Sequence, residues 1–588
     1  MTITKNLALS TKRQLIILLF LAFGLNVNTL FNDYAVDDVV VLTGNTVVEK
    51  GIKGIPEILT TEFFYGLEKK ESDLSGGRYR PFVLVTFALE YQFFGKNPMV
   101  SHLINVLLFV LLIALLYVLL QAHIFREQHK QLAFITCLLF IVHPIHTEVI
   151  ANVKSRDELI TFILLIVTSF TFIKYVEKRS IVLLFLGLLC FFLALLTRES
   201  AIPLIGLVPL ISYFFFNQSI KKSILFSMPL VAVFIVYVAI RISVVGFTNA
   251  SNTEILNAPF LYATPSEAFA TKVFILIKYL WLMIFPYPLS CDYGYNQIPY
   301  IDVYSLPFIL SSLVLLGLIA YAVFTFNKKS IFSFCILYFI ITIFLFANFI
   351  IDIGAPLAER LLFQPSLAFC IVLAVLYLQV VNTFKVLAKS TLIAILLLFT
   401  AKTISRNHDW KNNETLYFTD VESAPNSIRT NLYAAHQYIL KAPSETNKEQ
   451  RDEYFKKAVY YDERILKIYP HYRYIYEDLG LAYFGLLDYF KAADPWVQAY
   501  KLAPSDSTMK KRIEMLSDVL FNEGNKFYKI GTTDAAIRCY KKSVELNDNN
   551  VDAWYNLTRS YFLIKDIKNE NDAWQNVLRL SPKTCKLF

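Results

Sequence analysis

The chain has 588 residues, of which 56% are hydrophobic and 18% are charged, and its mean hydropathy is +0.48. An ordinary soluble protein carries about 25% charged residues, so the composition excludes a single soluble globule, a disordered chain and a disulfide-stapled secreted module. The net charge of +9 lies largely in short clusters between apolar runs, the pattern that sets membrane topology. It forms no basic stripe, so we expect no nucleic-acid partner.

The composition changes near residue 405, and only the first part contains apolar runs long enough to cross a bilayer. A spanning helix needs about 20 such residues. The first run follows Lys5, Lys12 and Arg13 and is compatible with a signal peptide. No small-x-small cleavage site follows it, which favours an uncleaved anchor. We predict eleven spans at 14–31, 100–124, 131–149, 159–176, 181–197, 201–216, 224–246, 305–326, 331–350, 363–382 and 390–404.

Lysine and arginine clusters orient these spans, because such clusters are retained on the cytoplasmic side. Eleven crossings leave the C-terminal half outside the cytoplasm. Residues 272–289 are also apolar enough to cross, but counting them would place Lys328 and Lys329 outside. Their prolines and aromatic residues favour a re-entrant or interfacial helix instead. The six cytoplasmic clusters are Lys12/Arg13, Arg126/Lys130, Lys174/Lys178/Arg179, Lys221/Lys222, Lys328/Lys329 and Lys385/Lys389.

With this orientation, the ionisable residues near span ends collect on the outer side, in loops 32–99, 150–158, 198–200, 247–304 and 351–362. Charged groups at membrane depth are costly and usually functional. Adjacent carboxylates can supply a general base, and arginines at a membrane edge suit a phosphate. Together they favour a reaction on a lipid phosphate. The candidates are Asp37, Asp38, Arg80, His143, His146, Glu148, Arg156, Asp157, Glu158, Arg198, Glu199, Asp292, Glu359 and Arg360.

Each candidate also has a structural interpretation. The two aspartates can simply begin a surface loop, and the charges at 156–158 can belong to a solvated loop. Arg198–Glu199 and Glu359–Arg360 can be interfacial ion pairs. His143 and His146 have a spacing compatible with zinc, but Pro144 separates them, so a polar network or structural hydrogen bonding also explains them.

The polar half contains an internal repeat. Gly480, Ala492, Ala499 and Pro504 are spaced 12, 7 and 5 residues apart, and Gly524 begins a second set with the same spacing. Small residues at these positions let two helices approach, and proline ends the second helix. The pattern predicts tetratricopeptide-type helix pairs, which serve as a peptide groove or as an assembly scaffold. We expect four pairs at 426–470, 471–504, 517–550 and 551–584, with 505–516 inserted and 405–425 as a linker.

The motif order now resembles a known family. FNDYAVDD, HPIHTEV, SRDEL, PLSCDYGY and AERLLFQPS, followed by the repeats, look like the transmembrane and tetratricopeptide-repeat protein O-mannosyltransferases and their bacterial relatives. The resemblance implies an all-α chain: a GT-C-type transmembrane helix bundle over 1–404 and an α-solenoid over 426–588. It also implies a polyprenyl- or dolichyl-linked sugar donor and a Ser/Thr acceptor outside the cytoplasm. The Lys-, Ile- and Asn-rich composition suggests a bacterial inner membrane with periplasmic repeats, or an ER membrane with luminal repeats in a eukaryote.

The same resemblance suggests residue roles. The acidic motif of such enzymes corresponds to Asp37 and Asp38. The resemblance implies that Asp37 is the general base and that Asp38 supports it or binds a divalent cation such as Mg or Mn. Other acceptors, a lipid or a surface glycan, remain open, as does a non-catalytic membrane scaffold. From chemistry and location we expect Arg80, His143, His146, Arg156, Arg198 and Arg360 to bind the donor phosphate, and Glu148, Glu158, Glu199 and Glu359 to orient them.

Overall fold

The computed structural model describes residues 10–68, 77–125, 130–246, 254–350 and 352–581. Within these ranges the regular elements are all helical. The chain divides into two compact units, Met1–Ser427 and Ile428–Phe588. The predicted all-α architecture is therefore confirmed. Arg126 of the second cationic cluster and the last residues of the fourth repeat, 582–584, lie outside the described ranges.

The first unit has a helix at each predicted span. Among the described residues, six helices are long and apolar enough to cross a membrane, and a seventh span results if one bent pair is counted as a single crossing. Five shorter apolar helices accompany them. The unit is thus a multi-pass membrane unit, while the count of eleven stays a prediction. The helices are α1 Thr11–Asn26, α2 Ile55–Thr60, α3 Tyr65–Glu68, α4 Pro81–Phe94, α5 Pro98–Leu119, α6 Lys130–Val142, α7 Thr147–Ala151, α8 Arg156–Lys178, α9 Ile181–Thr197, α10 Leu204–Phe215, α11 Ile220–Val245, α12 Pro265–Ile284, α13 Leu306–Phe326, α14 Ile331–Phe344, α15 Ser366–Val380, α16 Lys385–Asp409 and α17 Asn413–Ser423.

The third predicted span is broken rather than continuous. Its two parts, Gln131–Val142 and Pro144–Ala151, are bent by 59°. Proline lacks the N–H that a helix interior requires, so the chain turns at Pro144. After the bend, the chain continues through α7 to the start of α8 at Arg156.

The first outer loop is a folded subdomain with its own core. Val41, Leu42, Val47, Phe63 and Phe87 are buried together. Its longest described element, α4, is a 14-residue apolar helix within the predicted loop 32–99. The subdomain fixes the described backbone of this loop, residues 32–68 and 77–99, which a plain connector would not do.

Helices α8 and α9 form a tight hairpin whose far end leads to the TRESA segment. Gly187 permits the close approach, because a Cβ atom there would lie 2.6 Å from Oγ1 of Thr171. Thr168 also donates a hydrogen bond to the Gly187 carbonyl at 3.3 Å. The hairpin therefore fixes Arg198, at the end of α9, against the first turn of α8.

The expected linker at 405–425 is instead part of the first unit. Helix α16 continues to Asp409, and α17 follows directly. Arg406 pairs with Asp420 across this corner, with Nη1 2.5 Å from Oδ1 and both side chains buried. Removing one partner of a buried pair costs roughly 3–5 kcal/mol, so this segment is a fixed element.

The second unit is the predicted solenoid of helix pairs. Gly480 packs its helix against Trp496 of the next one, where a Cβ atom would be 2.1 Å from the indole. The insertion predicted at 505–516 is not separate, because a helix begins at Ser507 and runs to Lys529. The pairs are α18 Ile428–Lys441 with α19 Lys448–Ile468, α20 Arg473–Gly485 with α21 Tyr489–Leu502, α22 Ser507–Lys529 with α23 Thr533–Leu546, and α24 Val551–Leu563 with α25 Ile567–Leu580.

Candidate active site at the outer loops

A buried ion network joins the first outer loop to the α8–α9 hairpin. Asp157 accepts from two arginines at one oxygen: Arg80 Nη1 lies 3.1 Å from its Oδ2, and Arg198 Nη1 lies 2.6 Å from the same atom. All three side chains are at most 8% exposed. Asp157 stands in the first turn of α8, where the helix dipole also favours a negative charge. The network thus brings together three of the predicted residues from distant parts of the chain.

Two glutamates complete the network. Glu199 Oε2 lies 2.6 Å from Arg80 Nη2 and 3.0 Å from its Nε. Glu158 Oε1 lies 2.9 Å from Arg198 Nε, and its other oxygen accepts from the Ser200 hydroxyl at 3.0 Å. Burial alone would lower the pKa of Arg80, but Glu199 and then Asp157 raise it overall. Arg80 and Arg198 are consequently neutralised by protein carboxylates, and their ion pairs hold the first outer loop against the α8–α9 hairpin.

Arg156, a predicted phosphate ligand, is buried and has other partners than this network. Its Nη1 lies 2.5 Å from Glu90 Oε2, its Nε donates to Asn105 Oδ1 at 2.9 Å, and its guanidinium lies 4.2 Å from the Phe87 ring centroid. Its side chain is 1% exposed. These contacts give Arg156 a structural position that ties α8 to α4 and α5.

The two adjacent aspartates have different environments. Asp38 is 1% exposed, and its two oxygens accept from the backbone N–H groups of Ala35 at 2.9 Å and Lys154 at 2.7 Å. Burial raises the pKa of Asp38 to about 7. Asp37, by contrast, is 43% exposed at its side chain, with Oδ2 3.6 Å from Lys154 Nζ. Asp38 therefore anchors the loop, whereas the carboxylate of Asp37 is partly accessible from solvent.

Arg360 reaches the same region from the loop before α15. Its Nη1 and backbone N–H contact the carboxylate of Glu148 at 2.5 Å and 3.0 Å, and its side chain remains 23% exposed. Burial alone would lower the pKa of Arg360, but Glu148 and then Asp37 raise it. The arginine is therefore close enough to Asp37 to interact with it electrostatically.

Glu359 points elsewhere than Arg360. Its Oε1 accepts from the Ser290 backbone N–H at 2.6 Å and from the Tyr293 hydroxyl at 2.7 Å. Burial raises the pKa of Glu359 to about 8. The structure thus gives Glu359 a role in holding the PLSCDYGY loop, and Asp292 of that loop accepts from Ser427 at 3.1 Å.

Two cations of this region, Lys154 and Arg78, were not predicted from the sequence. Lys154 contacts Asp37 directly and is within electrostatic reach of Arg360. The guanidinium of Arg78 lies 5.4 Å from the Phe64 ring centroid, and it makes no ion pair in the part of the chain described. Burial, and then Arg80, lower the pKa of Arg78 to about 10, while Glu199 and, more weakly, Asp37 oppose this. Both had a sequence signal: Lys154 is a lone lysine in an outer loop, and Arg78 lies two residues before Arg80.

The two predicted histidine ligands do not join this site. His143 contacts the Met283 carbonyl through Nε2 at 2.9 Å and accepts from the Ile145 N–H at Nδ1. His146 contacts the Phe140 carbonyl and the Ser366 hydroxyl, each at 2.8 Å. Both rings are 1% exposed. They hold the kink between α6 and α7, because each nitrogen is used inside the fold.

The two carboxylates of the acidic motif differ in how accessible they are to a cation. Each oxygen of Asp38 accepts a hydrogen bond from a backbone N–H group, whereas the Asp37 side chain is 43% exposed. Among the residues that the structure describes, no group of three or more His, Cys, Asp or Glu side chains is arranged to hold a metal ion. A divalent cation at this motif would therefore be held mainly by Asp37, with its remaining ligands supplied by water or the donor phosphate.

Known proteins show similarity to both units. A TPR repeat model matches residues 524–563. The human protein O-mannosyl-transferase TMTC3 is 24% identical, over 95% of this chain and 67% of its own length. The Caenorhabditis elegans protein O-mannosyl-transferase F38B6.6 is 26% identical over 71% of this chain and 59% of its own. Human TMTC1 is 25% identical over 77% and 54%, respectively.

The chain is a homologue of the TMTC-type protein O-mannosyl-transferases. The predicted resemblance is thus confirmed across both the membrane unit and the repeats. The chain spans only about half to two thirds of the length of the curated relatives named above. Among solved structures, the APC/C hetero-tetramer Cut9-Hcn1 aligns over 85% of this chain with 11% identity and a TM-score of 0.17, a score too low to indicate a shared fold.

Proposed function

We propose that the chain is a GT-C-type glycosyltransferase that transfers a sugar from a polyprenyl-phosphate-type donor to Ser or Thr hydroxyls of proteins outside the cytoplasm. One observation carries the proposal: the half-exposed carboxylate of Asp37 lies 3.6 Å from Lys154 Nζ, in a loop that the buried Asp38 holds through two backbone hydrogen bonds. The names of the homologues, protein O-mannosyl-transferases, support a sugar donor and a protein acceptor.

Asp37 acts as the general base in this proposal. The acceptor hydroxyl oxygen attacks C1 of the sugar, its proton passes to the Asp37 carboxylate, and a new C1–O bond forms. The bond between C1 and the phosphate oxygen breaks, and its electron pair leaves with the polyprenyl phosphate. A base in hydrogen-bond reach of the hydroxyl contributes about 10²–10⁴-fold to such a rate.

Lys154, Arg78 and Arg360 are the cations assigned to the departing phosphate. Lys154 contacts Asp37, Arg78 makes no ion pair among the described residues, and Arg360 keeps 23% of its side chain exposed. Preorganised cations at a site of developing negative charge stabilise the transition state without reorganisation. Arg80, Arg198 and Arg156 instead position the loops through their buried carboxylate partners.

The test is transfer of labelled sugar from a polyprenyl-phosphate donor to a Ser/Thr peptide by the purified full-length protein. Asp37→Asn keeps the shape of the side chain but removes the base, so transfer should fall about 10²-fold or more. Asp33→Asn makes the same change at an exposed carboxylate four residues away and should leave transfer unchanged. Full activity of Asp37→Asn overturns the assigned base, and transfer to lipid or glycan acceptors but never to peptides overturns the protein substrate.

A further inference from the structure

Three turns of the repeat unit carry exposed apolar side chains. They join the two helices of a pair: α20 to α21, α22 to α23, and α24 to α25. Because successive helices of such a solenoid run in opposite directions, turns inside pairs lie along one edge and turns between pairs lie along the other. We name the first the turn edge and define it as residues 486–491, 529–534 and 564–568. Its large exposed side chains are 42–72% exposed and are Leu487, Phe490, Ile530, Ile564 and Ile567.

One of these side chains is exposed although its backbone conformation is costly. Leu487, Gly531 and Lys565 hold the equivalent position of the three turns, with φ values of 61°, 81° and 60°. Glycine adopts this left-handed conformation freely, whereas a residue with a Cβ atom is strained in it. Leu487 is 62% exposed, so packing within the repeat unit does not offset its strain. A contact outside the unit would explain why an apolar residue stands there.

The opposite edge of the solenoid has a different surface. Its turns are 469–472, 503–506 and 547–550, the last with the sequence NDNN. In these described turns no large apolar or aromatic side chain is exposed. The exposed apolar row is thus one-sided, which indicates an interaction surface rather than the scattered exposure of single residues.

Lysines accompany the apolar side chains of the turn edge, which contains four lysines and three aspartates. Each aspartate begins a helix: Asp488 and Asp566 cap α21 and α25, and Asp534 lies in the first turn of α23. The partial positive charge of a helix N-terminus offsets a carboxylate at this position. The lysines that are exposed and make no ion pair within the described residues are Lys529, Lys565 and Lys568. The edge therefore combines apolar groups with available positive charge.

We propose that the turn edge lies on the anionic surface of the bilayer that contains the membrane unit. Its apolar side chains enter the boundary between headgroups and acyl chains, and its lysines contact lipid phosphates. The chain passes directly from the membrane unit at Ser427 to the repeat unit at Ile428, so the tether keeps this bilayer at a high effective concentration. The contact goes beyond the proposed function, because it requires neither donor nor acceptor.

Quenching by brominated lipids tests the contact with the full-length protein, at one copy per nanodisc. Ile530→Cys receives an environment-sensitive maleimide dye on the turn edge, and Asn549→Cys receives it at an exposed residue of the opposite edge. The unmodified chain, with its seven native cysteines, gives the background. In nanodiscs of phosphatidylcholine and phosphatidylglycerol, emission from position 530 should shift to shorter wavelength and be quenched by bromine on the acyl chains. Emission from position 549 should show neither change.

Substitutions elsewhere on the turn edge separate the two parts of the contact, with the dye at position 530 as the readout. Lys529→Gln, Lys565→Gln and Lys568→Gln together should lower the ratio of quenched to unquenched protein about fivefold per lysine. Salt at about 1 M should act in the same direction, because it screens the charges. Leu487→Ser, Ile564→Ser and Ile567→Ser together should remove most of the quenching, since less apolar area enters the lipid.

The matched controls make the same chemical changes near the opposite edge. Tyr474→Ser with Leu502→Ser removes side chains that are 46% and 44% exposed, and Lys501→Gln with Lys511→Gln removes exposed lysines. Neither pair should change the quenching at position 530. Thermal unfolding of every variant reports loss of folding separately.

Several outcomes would overturn the contact. These are no quenching at position 530, equal quenching at positions 530 and 549, or unchanged quenching in both sets of edge variants. Quenching that appears only when separate vesicles are added would exclude the bilayer that contains the protein. A response that requires two copies per nanodisc would assign the turn edge to self-association instead. All measurements are made without donor or acceptor, so their outcome is independent of sugar transfer.

Discussion

At the scale of single residues, neighbouring side chains of the same chemical type have different environments in the candidate site. Asp38 satisfies two backbone N–H groups and is buried, whereas Asp37 is exposed beside Lys154. Arg80 is neutralised by Asp157 and Glu199, whereas Arg78, two residues earlier, makes no ion pair in the described ranges. Whether a charged side chain can interact with a ligand therefore depends on whether a protein partner already neutralises it, and not on the number of charged residues nearby.

The first prediction concerns Arg78. Arg78→Gln should raise the KM for the polyprenyl-phosphate donor about tenfold, because a charge-assisted hydrogen bond to phosphate is lost. The KM for the peptide acceptor should not change. Initial rates over a range of donor concentrations measure both constants.

Lys53→Gln is the matched control for Arg78, since it removes an exposed charge from the same loop. It should keep the donor KM of the unmodified chain. An unaltered donor KM in Arg78→Gln, or a loss of kcat alone, would contradict a phosphate-binding role for this arginine.

At the scale of elements, helix pairs and the bend at Pro144 determine where charges can be placed. Helix α8 begins with Asp157 and Glu158, and the close α8–α9 hairpin brings Arg198 back to them. In the repeat unit, helix α19 contains a buried aspartate, Asp462, which is 0% exposed. In the described chain neither of its carboxyl oxygens has a hydrogen-bond partner.

The second prediction follows from Asp462. Burial, and then Asp478, raise its pKa well above the usual range. The folded state therefore binds this proton more tightly than the unfolded state does. The resulting contribution to the free energy of unfolding is fully present below the unfolded pKa of about 3.9. It is lost as the pH rises toward the folded pKa. Asp462→Asn should therefore unfold at a higher temperature than the unmodified chain at pH 7, and the difference should shrink toward pH 4.

Thermal unfolding of the full chain at several pH values measures this dependence. The control is Asp552→Asn, which neutralises an exposed aspartate on α24 and should shift the unfolding temperature little. A difference between Asp462→Asn and the unmodified chain that is the same at every pH would contradict the ionisation argument.

At the scale of the whole molecule, topology decides whether the loops with Asp37 and the repeats face the same compartment. The cationic clusters favour eleven crossings and place Lys328 in the cytoplasm, whereas a crossing by 272–289 would place it outside. Helix α12 is 20 residues long and begins with a capping box at Thr264 and Glu267, so its length alone allows either arrangement.

The third prediction resolves this choice by cysteine labelling. Ser444→Cys and Lys328→Cys each introduce an exposed thiol, in the repeat unit and between α13 and α14. A membrane-impermeant maleimide should label Ser444→Cys in intact spheroplasts and Lys328→Cys only after permeabilisation. The unmodified chain, with its native cysteines, gives the background. The opposite pattern would show that residues 272–289 cross the membrane.

The sequence by itself determined the features that depend on local pattern. Apolar runs of membrane length located the helices of the first unit, and a repeated spacing of small residues located the helix pairs of the second, since Gly480 has to leave room for Trp496. The acidic motif made Asp37 a candidate, because charged groups near the end of a span are costly and often functional, and its catalytic role stays a prediction.

Only the tertiary structure decided which charged groups are already neutralised. His143 and His146 looked available in the sequence, yet backbone carbonyls and a hydroxyl occupy them. Arg156 looked like a phosphate ligand, yet Glu90, 66 residues earlier in the sequence, neutralises it. Such pairings join segments distant in the chain, and neither hydropathy nor spacing records them, because they depend on how the first outer loop packs against α8.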